Sequence, residues 1–228
     1  MGLGFGIRVR LIRAWRSAVR KRRQAGRRRF GRIHVERLHI GSGPVVLPGW
    51  TNVDIEYHPG VHHVLDVRDG LPFQEVEYIY AEHFIEHLTH DAGIRFLAEC
   101  RAALSASGTL RLSTPNLDWV WSTQYHRPSD DAIRDCFAIN KSFRGWGHQF
   151  LYNLDTLSAA LRDVGFKAIR VCRYGESEKP ALTNLERHDK SIDTRELPHV
   201  IIVEATGRQS GRHELKSVSE DYDWAINV

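Results

Sequence analysis

The run from Leu38 to Asp54, LHIGSGPVVLPGWTNVD, constrains the fold more than any other part of this 228-residue chain. An apolar strand ends in a turn of Gly41, Ser42 and Gly43, and a second short strand closes on the single carboxylate of Asp54. Glycines let backbone approach a ligand closely, and an acid after the next strand can accept hydrogen bonds from ribose hydroxyls. The run therefore suits a nucleoside-type ligand. Asp54 follows Gly43 by only eleven positions, and Pro48-Gly49 takes up part of that interval. No full crossover helix fits, so the first connection must be a loop or a single turn. A dinucleotide fold sets its acid about 20 residues beyond the glycines and needs a third glycine at fixed spacing. The run argues against NAD.

Beyond residue 32 the hydrophobic pattern alternates between periods of two and 3.6. Short strands are expected at 35–40, 51–55, 63–67 and 77–81. Residues 91–104 read as a helix, with Ile94, Leu97, Ala98 and Leu104 on one face and an acid at its start. Ser107-Gly108 breaks the chain before a strand at 109–114. Asn153 caps a helix over 154–164 with Leu157, Ala160, Leu161 and Val164 as its buried stripe, and Gly165 ends it. Strands at 166–172 and 199–205 follow. This alternation predicts an α/β fold, a mostly parallel sheet with helices on both faces. No apolar stretch approaches the roughly 18 residues of a membrane span.

Charge divides the chain. Residues 1–32 carry twelve Lys or Arg and no acid, which leaves 20 basic against 28 acidic residues, a net −8, for the rest. An acidic body argues against nucleic acid as substrate, since phosphate affinity needs a basic surface. In the tail, Ile7, Leu11, Trp15 and Ala18 recur at helical spacing with Arg10, Arg13, Arg16 and Arg20 on the flanks. Residues 5–20 fit a basic amphipathic helix on an anionic membrane surface, each Arg contributing about 1 kcal/mol. A solvated disordered arm and a mitochondrial presequence fit the composition too. Cys100, Cys136 and Cys172 are odd in number and form no C-x-x-C, which points to a reducing cytoplasm. The expected organisation is a tail at 1–32, one domain at 33–206 and a polar stretch at 207–228.

LHIGSG, NVDI, VLDVRDGLPF and EYIYAEHFIEHL…FLAECRAALSASGTLRLSTPNL, in that order, resemble the class I S-adenosylmethionine-dependent methyltransferases. The subgroup resembled most is a set of short methyltransferases with a GxG-x5-GWxNVD motif, often associated with cell-surface glycan pathways. The resemblance implies a Rossmann-like, seven-stranded sheet with a truncated first helix, and S-adenosylmethionine as cofactor. Carried over residue by residue, Gly41, Ser42 and Gly43 would form the turn beneath the methionine part of the cofactor. Asp54 would accept from the ribose and Ile55 would pack on the adenine. Asp66 would bind the adenine amine, with backbone contact from Val67. Helix capping or turn formation is the structural alternative for both acids.

A histidine-carboxylate cluster follows the fourth strand. If a helical turn begins at Glu82, His83 shares a face with Glu86 and His87. His148 lies where related enzymes place a further histidine. The set resembles the E-x-x-E-H plus distant histidine site of metal-dependent small-RNA and ubiquinone-pathway O-methyltransferases, with His83 in place of the first Glu. A divalent ion on His83, Glu86, His87 and His148 would then favour zinc or iron over magnesium. Two other readings stand beside it: Glu86 and His87 tie the helix start to the sheet, or His83 or His148 acts as general base. Residues 117–150 interrupt the alternation and carry Trp119, Trp121, Tyr125, His126, Phe143 and Trp146, as a cap over an acceptor site would. Most of these rings are expected on the apolar underside of that cap. The expected activity is O-methylation of a small-molecule or glycan-linked hydroxyl, in the cytoplasm or at the inner membrane face. A non-catalytic scaffold of the same fold and an RNA methyltransferase anchored by its tail are the alternatives.

Overall fold

The structure, a computed structural model, describes residues 33–125, 131–188 and 197–209. The expectations placed on the basic tail, whether membrane surface, presequence or RNA anchor, lie outside the described residues, as does nearly all of the stretch 207–228.

The first half of the chain is built from short strands: β1 (Ile33–His34), β2 (Arg37–Ile40), β3 (Thr51–Asp54), β4 (His63–Val64), β5 (Phe73–Gln74) and β6 (Val76–Glu82). Thr89 then caps α1 (His90–Ala103), its hydroxyl accepting from the Ala92 N–H. β7 (Leu104–Pro115) leads into α2 (Leu117–Val120) and α3 (Ala132–Asn140). Asn153 caps α4 (Leu154–Asp163) as expected, its side chain accepting from the Thr156 N–H. Strands β8 (Phe166–Val171) and β9 (Val200–Arg208) complete the described order.

Seven strands form one sheet in the order β4-β3-β2-β6-β7-β9-β8. The neighbours are parallel except for β9, which runs antiparallel to both β7 and β8. β1 and β5 form a separate two-stranded parallel ribbon. From β2 the chain winds outward through β3 to β4, then returns to place β6 on the other side of β2. The junction of β2 and β6 is therefore a topological switch point, where open α/β sheets bind ligands at the carboxyl ends of their strands. This is the Rossmann-like arrangement expected, and the first connection holds turns where a helix would otherwise run.

Alternate residues of the strands build two chemically different faces. Leu38, Ile40, Ile79, Ala81, Leu110, Leu112, Val203 and Ala205 join one apolar core with α1 and α4. The opposite face buries His39, Asn52, Tyr80, Arg111, Ser113 and Glu204. The connections after β2 and β3 are too short for long helices, so loops close this side. Leu47 and Trp50 from the first loop meet Tyr80, Leu182 and Leu185, near a 3-10 turn at Pro180–Leu182.

Arg111 anchors that cover. Its Nε donates to Glu186 at 2.6 Å and its Nη1 to Glu204 at 2.6 Å, all within the interior. Burial works against the guanidinium charge, but the two carboxylates outweigh it and raise its pKa. Glu186 also accepts from the Gly175 N–H, and its carbonyl accepts from Tyr174. Removing the arginine would leave the buried Glu186 without a cation and Glu204 with Arg170 alone, a loss of about 3–5 kcal/mol.

Two of the boundaries that differ from the expected ones have a local cause. The strand at 63–67 is only His63–Val64, because Asp66 caps a 3-10 turn at Val67–Asp69. The break at Ser107-Gly108 lies inside β7, where the register against β6 shifts. A side chain at Gly108 would meet the Val76 carbonyl at 2.7 Å, so the glycine admits the irregularity.

Candidate functional site

A cavity of about 270 Å³ opens at the carboxyl ends of β2 and β3. Gly41, Asp54, Ile55, Asp66 and Val67 line it, and Phe84, His87 and Leu88 form the wall that follows β6. It thus sits at the switch point, near the lower end of small-molecule site volumes. Gly41 has φ +69°, and a Cβ there would overlap the Phe84 ring. Only glycine permits both the turn and this close approach.

Ser42 and Gly43, expected beside the ligand, are not among the cavity residues. Ser42 is buried, and its hydroxyl donates at 3.4 Å to the Gly43 carbonyl. The Gly43 N–H donates to Asp54 Oδ2 at 2.7 Å, while Asp54 Oδ1 accepts from the Glu56 N–H at 2.9 Å. The turn therefore holds the carboxylate in position, and each oxygen keeps a further lone pair for a ligand. Asp66 is more heavily engaged. It caps the 3-10 turn through the Arg68 N–H, and the Arg68 guanidinium reaches it at 2.6 Å. Burial would raise its pKa, but these hydrogen bonds and the Arg68 charge hold it lower. Ile55 is exposed and free to cover a planar ring.

The loop after β2 is pinned by Asn52, a residue the sequence reading passed over. Its amide accepts from the Leu47 N–H and donates to the Leu47 and Trp50 carbonyls, at 2.9 to 3.1 Å. His39 Nδ1 lies 2.9 Å from the same amide oxygen. The ring stacks on Tyr80, and burial lowers its pKa, which keeps it the neutral donor. An asparagine inside a short strand, next to Val53, was the available signal. The tryptophan and asparagine of W-x-N-V-D thus do structural work, while the aspartate faces the cavity.

The histidine cluster divides in two. No helical turn begins at Glu82: the 3-10 turn is Ile85–His87, and His83 stands before it with φ +47°. Glu86, His87 and His148 each bring a ligand atom within 4.8 Å of the others, beside the cavity wall. The His87 and His148 rings are 5.2 Å apart, and His148 Nδ1 donates to the Ser142 carbonyl at 2.7 Å. His83 falls instead into a second group with Glu82 and His188. Its Nδ1 still meets Glu86 Oε1 at 3.2 Å, and Thr114 donates to the other Glu86 oxygen at 2.9 Å. Burial lowers the His83 pKa, but Glu86 and Glu82 together turn the balance upward. Glu82 accepts from His188 Nδ1, the Arg187 N–H and the Tyr80 hydroxyl. Burial works against its charge, yet these donors bring its pKa down to about 2. His188 lay beyond the reach of the sequence, with no motif linking it to residues about a hundred positions earlier.

The cap aromatics are more open than expected. Trp121, Phe143 and Trp146 are exposed, so they do not form a buried underside. The short helices α2 and α3 pack mainly on their own flanking turns, which leaves these rings without a core to enter. Trp119 meets His199 edge-on at 4.7 Å. The side chains of Tyr125 and His126 lie outside the described residues.

No protein-family model matches the chain, and no curated protein does. Similar solved structures include an S-adenosylmethionine-dependent methyltransferase from Archaeoglobus fulgidus, with 16% identity over 80% of this chain and 93% of that one, at TM-score 0.46. Another, from Mesorhizobium loti, has 15% identity over 77% and 91%, at TM-score 0.49. A mitomycin 7-O-methyltransferase has 14% identity over 75% of this chain and 48% of its own length, at TM-score 0.44. The fold assignment rests on the strand order and the antiparallel β9. Among the described residues no helix is long and apolar enough to cross a membrane.

Proposed function

We propose that this chain is an S-adenosylmethionine-dependent methyltransferase acting on a hydroxyl of a small-molecule or glycan-linked acceptor. The observation that carries the reading is the cavity at the switch point, with Asp54 held by its own glycine turn at one strand end and Asp66 at the next. The residues fit the cofactor: a glycine floor, two carboxylate acceptors and an exposed apolar side chain at Ile55. Bound there, the cofactor would supply an activated methyl group. Asp54 would hold the ribose hydroxyls, and Ile55 and Val67 would border the base.

The chain's remaining task is to orient an acceptor oxygen, since placement in line supplies much of the rate of such a transfer. In its neutral form His148 donates through Nδ1 to Ser142, which leaves Nε2 to accept a proton from the acceptor. Phe143 and Trp146, a few residues before His148, would supply exposed rings to a sugar or aromatic face. A divalent ion on Glu86, His87 and His148 would be a second way to polarise the hydroxyl.

Calorimetry with S-adenosylmethionine and with NAD, on wild type and Asp54→Ala, tests the assignment. Loss of the charge-assisted ribose hydrogen bonds should weaken S-adenosylmethionine by about ten- to a hundredfold. Tight NAD binding, or cofactor affinity indifferent to Asp54, would overturn the reading.

A further inference from the structure

We propose that Glu82, His83 and His188 form a binding site for a divalent transition-metal ion of the zinc class, separate from the Glu86–His87–His148 group. Each residue offers one ligand atom within 4.8 Å of the other two. They come from the end of β6 and from the segment that Arg111 and Glu186 pin against the sheet, so the site joins two elements about a hundred residues apart.

The protonation pattern is what a metal requires. His188 Nδ1 lies 3.1 Å from Glu82 Oε1, and His83 Nδ1 lies 3.2 Å from Glu86 Oε1. A carboxylate only accepts, so in neutral His83 the proton sits on Nδ1 and Nε2 carries a bare lone pair, while His188 Nδ1 and Glu82 Oε1 stand as close as two ligands of one tetrahedral ion. The His83 Nε2 is buried and has no hydrogen-bond partner among the described residues. A buried polar atom without a partner costs about 1–3 kcal/mol, and a bound ion would supply the partner. An imidazole whose second nitrogen is fixed by a carboxylate is the common form of a metal-bound histidine.

Geometry agrees. The two rings are 5.6 Å apart and nearly edge-on. Two imidazoles on one tetrahedral zinc ion, with Zn–N near 2.1 Å, hold their centroids about 5 Å apart. The left-handed backbone of His83 is unfavourable for a residue other than glycine, and it takes the ring out of register with the 3-10 turn that follows. Two nitrogen donors and one carboxylate select zinc-like ions over magnesium or calcium. Three protein ligands leave a fourth tetrahedral position to an outside oxygen. The site stands independently of the methyltransferase reading.

Full-length, tag-free protein, stripped with chelator, is titrated with Co2+ near neutral pH while the visible absorption of four-coordinate Co2+ is followed; Zn2+ should displace the colour. His148→Ala removes the neighbouring group and should keep one equivalent; adding His188→Ala or His83→Ala should abolish it or weaken it at least a hundredfold. A His148→Ala protein that binds no Co2+, or binding that survives both further substitutions, overturns the proposal. Should either variant fail to fold by circular dichroism, histidine imidazole NMR spectra of wild type with and without Zn2+ decide. Zn2+ should move the His83 and His188 imidazole resonances, and unmoved resonances overturn the site.

Discussion

Replacing Gly41 with alanine puts a methyl group where the Phe84 ring already lies. The new Cβ would overlap Phe84 Cδ2 and stand 3.1 Å from Cγ and 3.3 Å from Cε2. The ring cannot retreat freely, because its centroid is 5.0 Å from that of Phe96, which is almost fully buried. Two costs combine. A left-handed backbone at φ +69° costs an L-residue about 1–2 kcal/mol, and an overpacked contact about 1–3 kcal/mol more. Gly43→Ala separates them: its φ is +52°, but nothing lies within 4 Å of a Cβ there. Gly43→Ala should therefore lose only the backbone part, and Gly41→Ala about 2–5 kcal/mol in total. Urea denaturation followed by tryptophan fluorescence measures both. Phe84→Leu added to Gly41→Ala should return part of the difference. Equal midpoints for the two glycine variants would refute the packing of Phe84 on the turn, and with it the closed wall of the cavity.

Asn52→Ala releases the loop that holds the glycine turn. It removes the amide contacts to Leu47, Trp50 and His39, which should cost about 2–4 kcal/mol in urea unfolding and weaken S-adenosylmethionine in calorimetry. Unchanged stability would mean that the loop is held by Leu47 and Trp50 burial alone. Glu82 titrates at about 2 in the folded chain against an ordinary 4.5. A depressed carboxylate contributes stability that is complete above about 4.5 and lost as pH falls through about 2. The stability advantage of wild type over Glu82→Gln should shrink across that window. A gap that stays constant between those limits would show that the His188 and backbone hydrogen bonds do not depend on the charge.

Much of the fold was legible because its signals are local. The 3.6-residue stripe and asparagine cap placed α4 to within a residue, and the eleven-residue interval from Gly43 to Asp54 excluded a first helix. Asp66 shows where such signals become ambiguous, since an acid after a strand suits a turn cap as well as a ligand. In the structure it caps the turn and also lines the cavity. The His83–Glu86–His87 pattern was read on a helical turn that starts three residues too early. The left-handed His83 moved its ring out of that register, and backbone conformation at one residue carries no periodicity to reveal it.

The order of strands and helices, the short first loop and the glycine-acid pairing at Asp54 follow from the sequence alone. They depend on periodicity, turn chemistry and interactions within about a dozen residues. Only the tertiary structure decided which polar side chains meet on the loop-covered face. Arg111 finds Glu186 and Glu204, and Glu82 finds His188, across separations of 75 to 106 positions. Hydrophobic pattern tells a residue which face to occupy; it does not name a distant partner. The pairing is fixed by strand order and by the requirement that buried charge and hydrogen-bonding groups be satisfied.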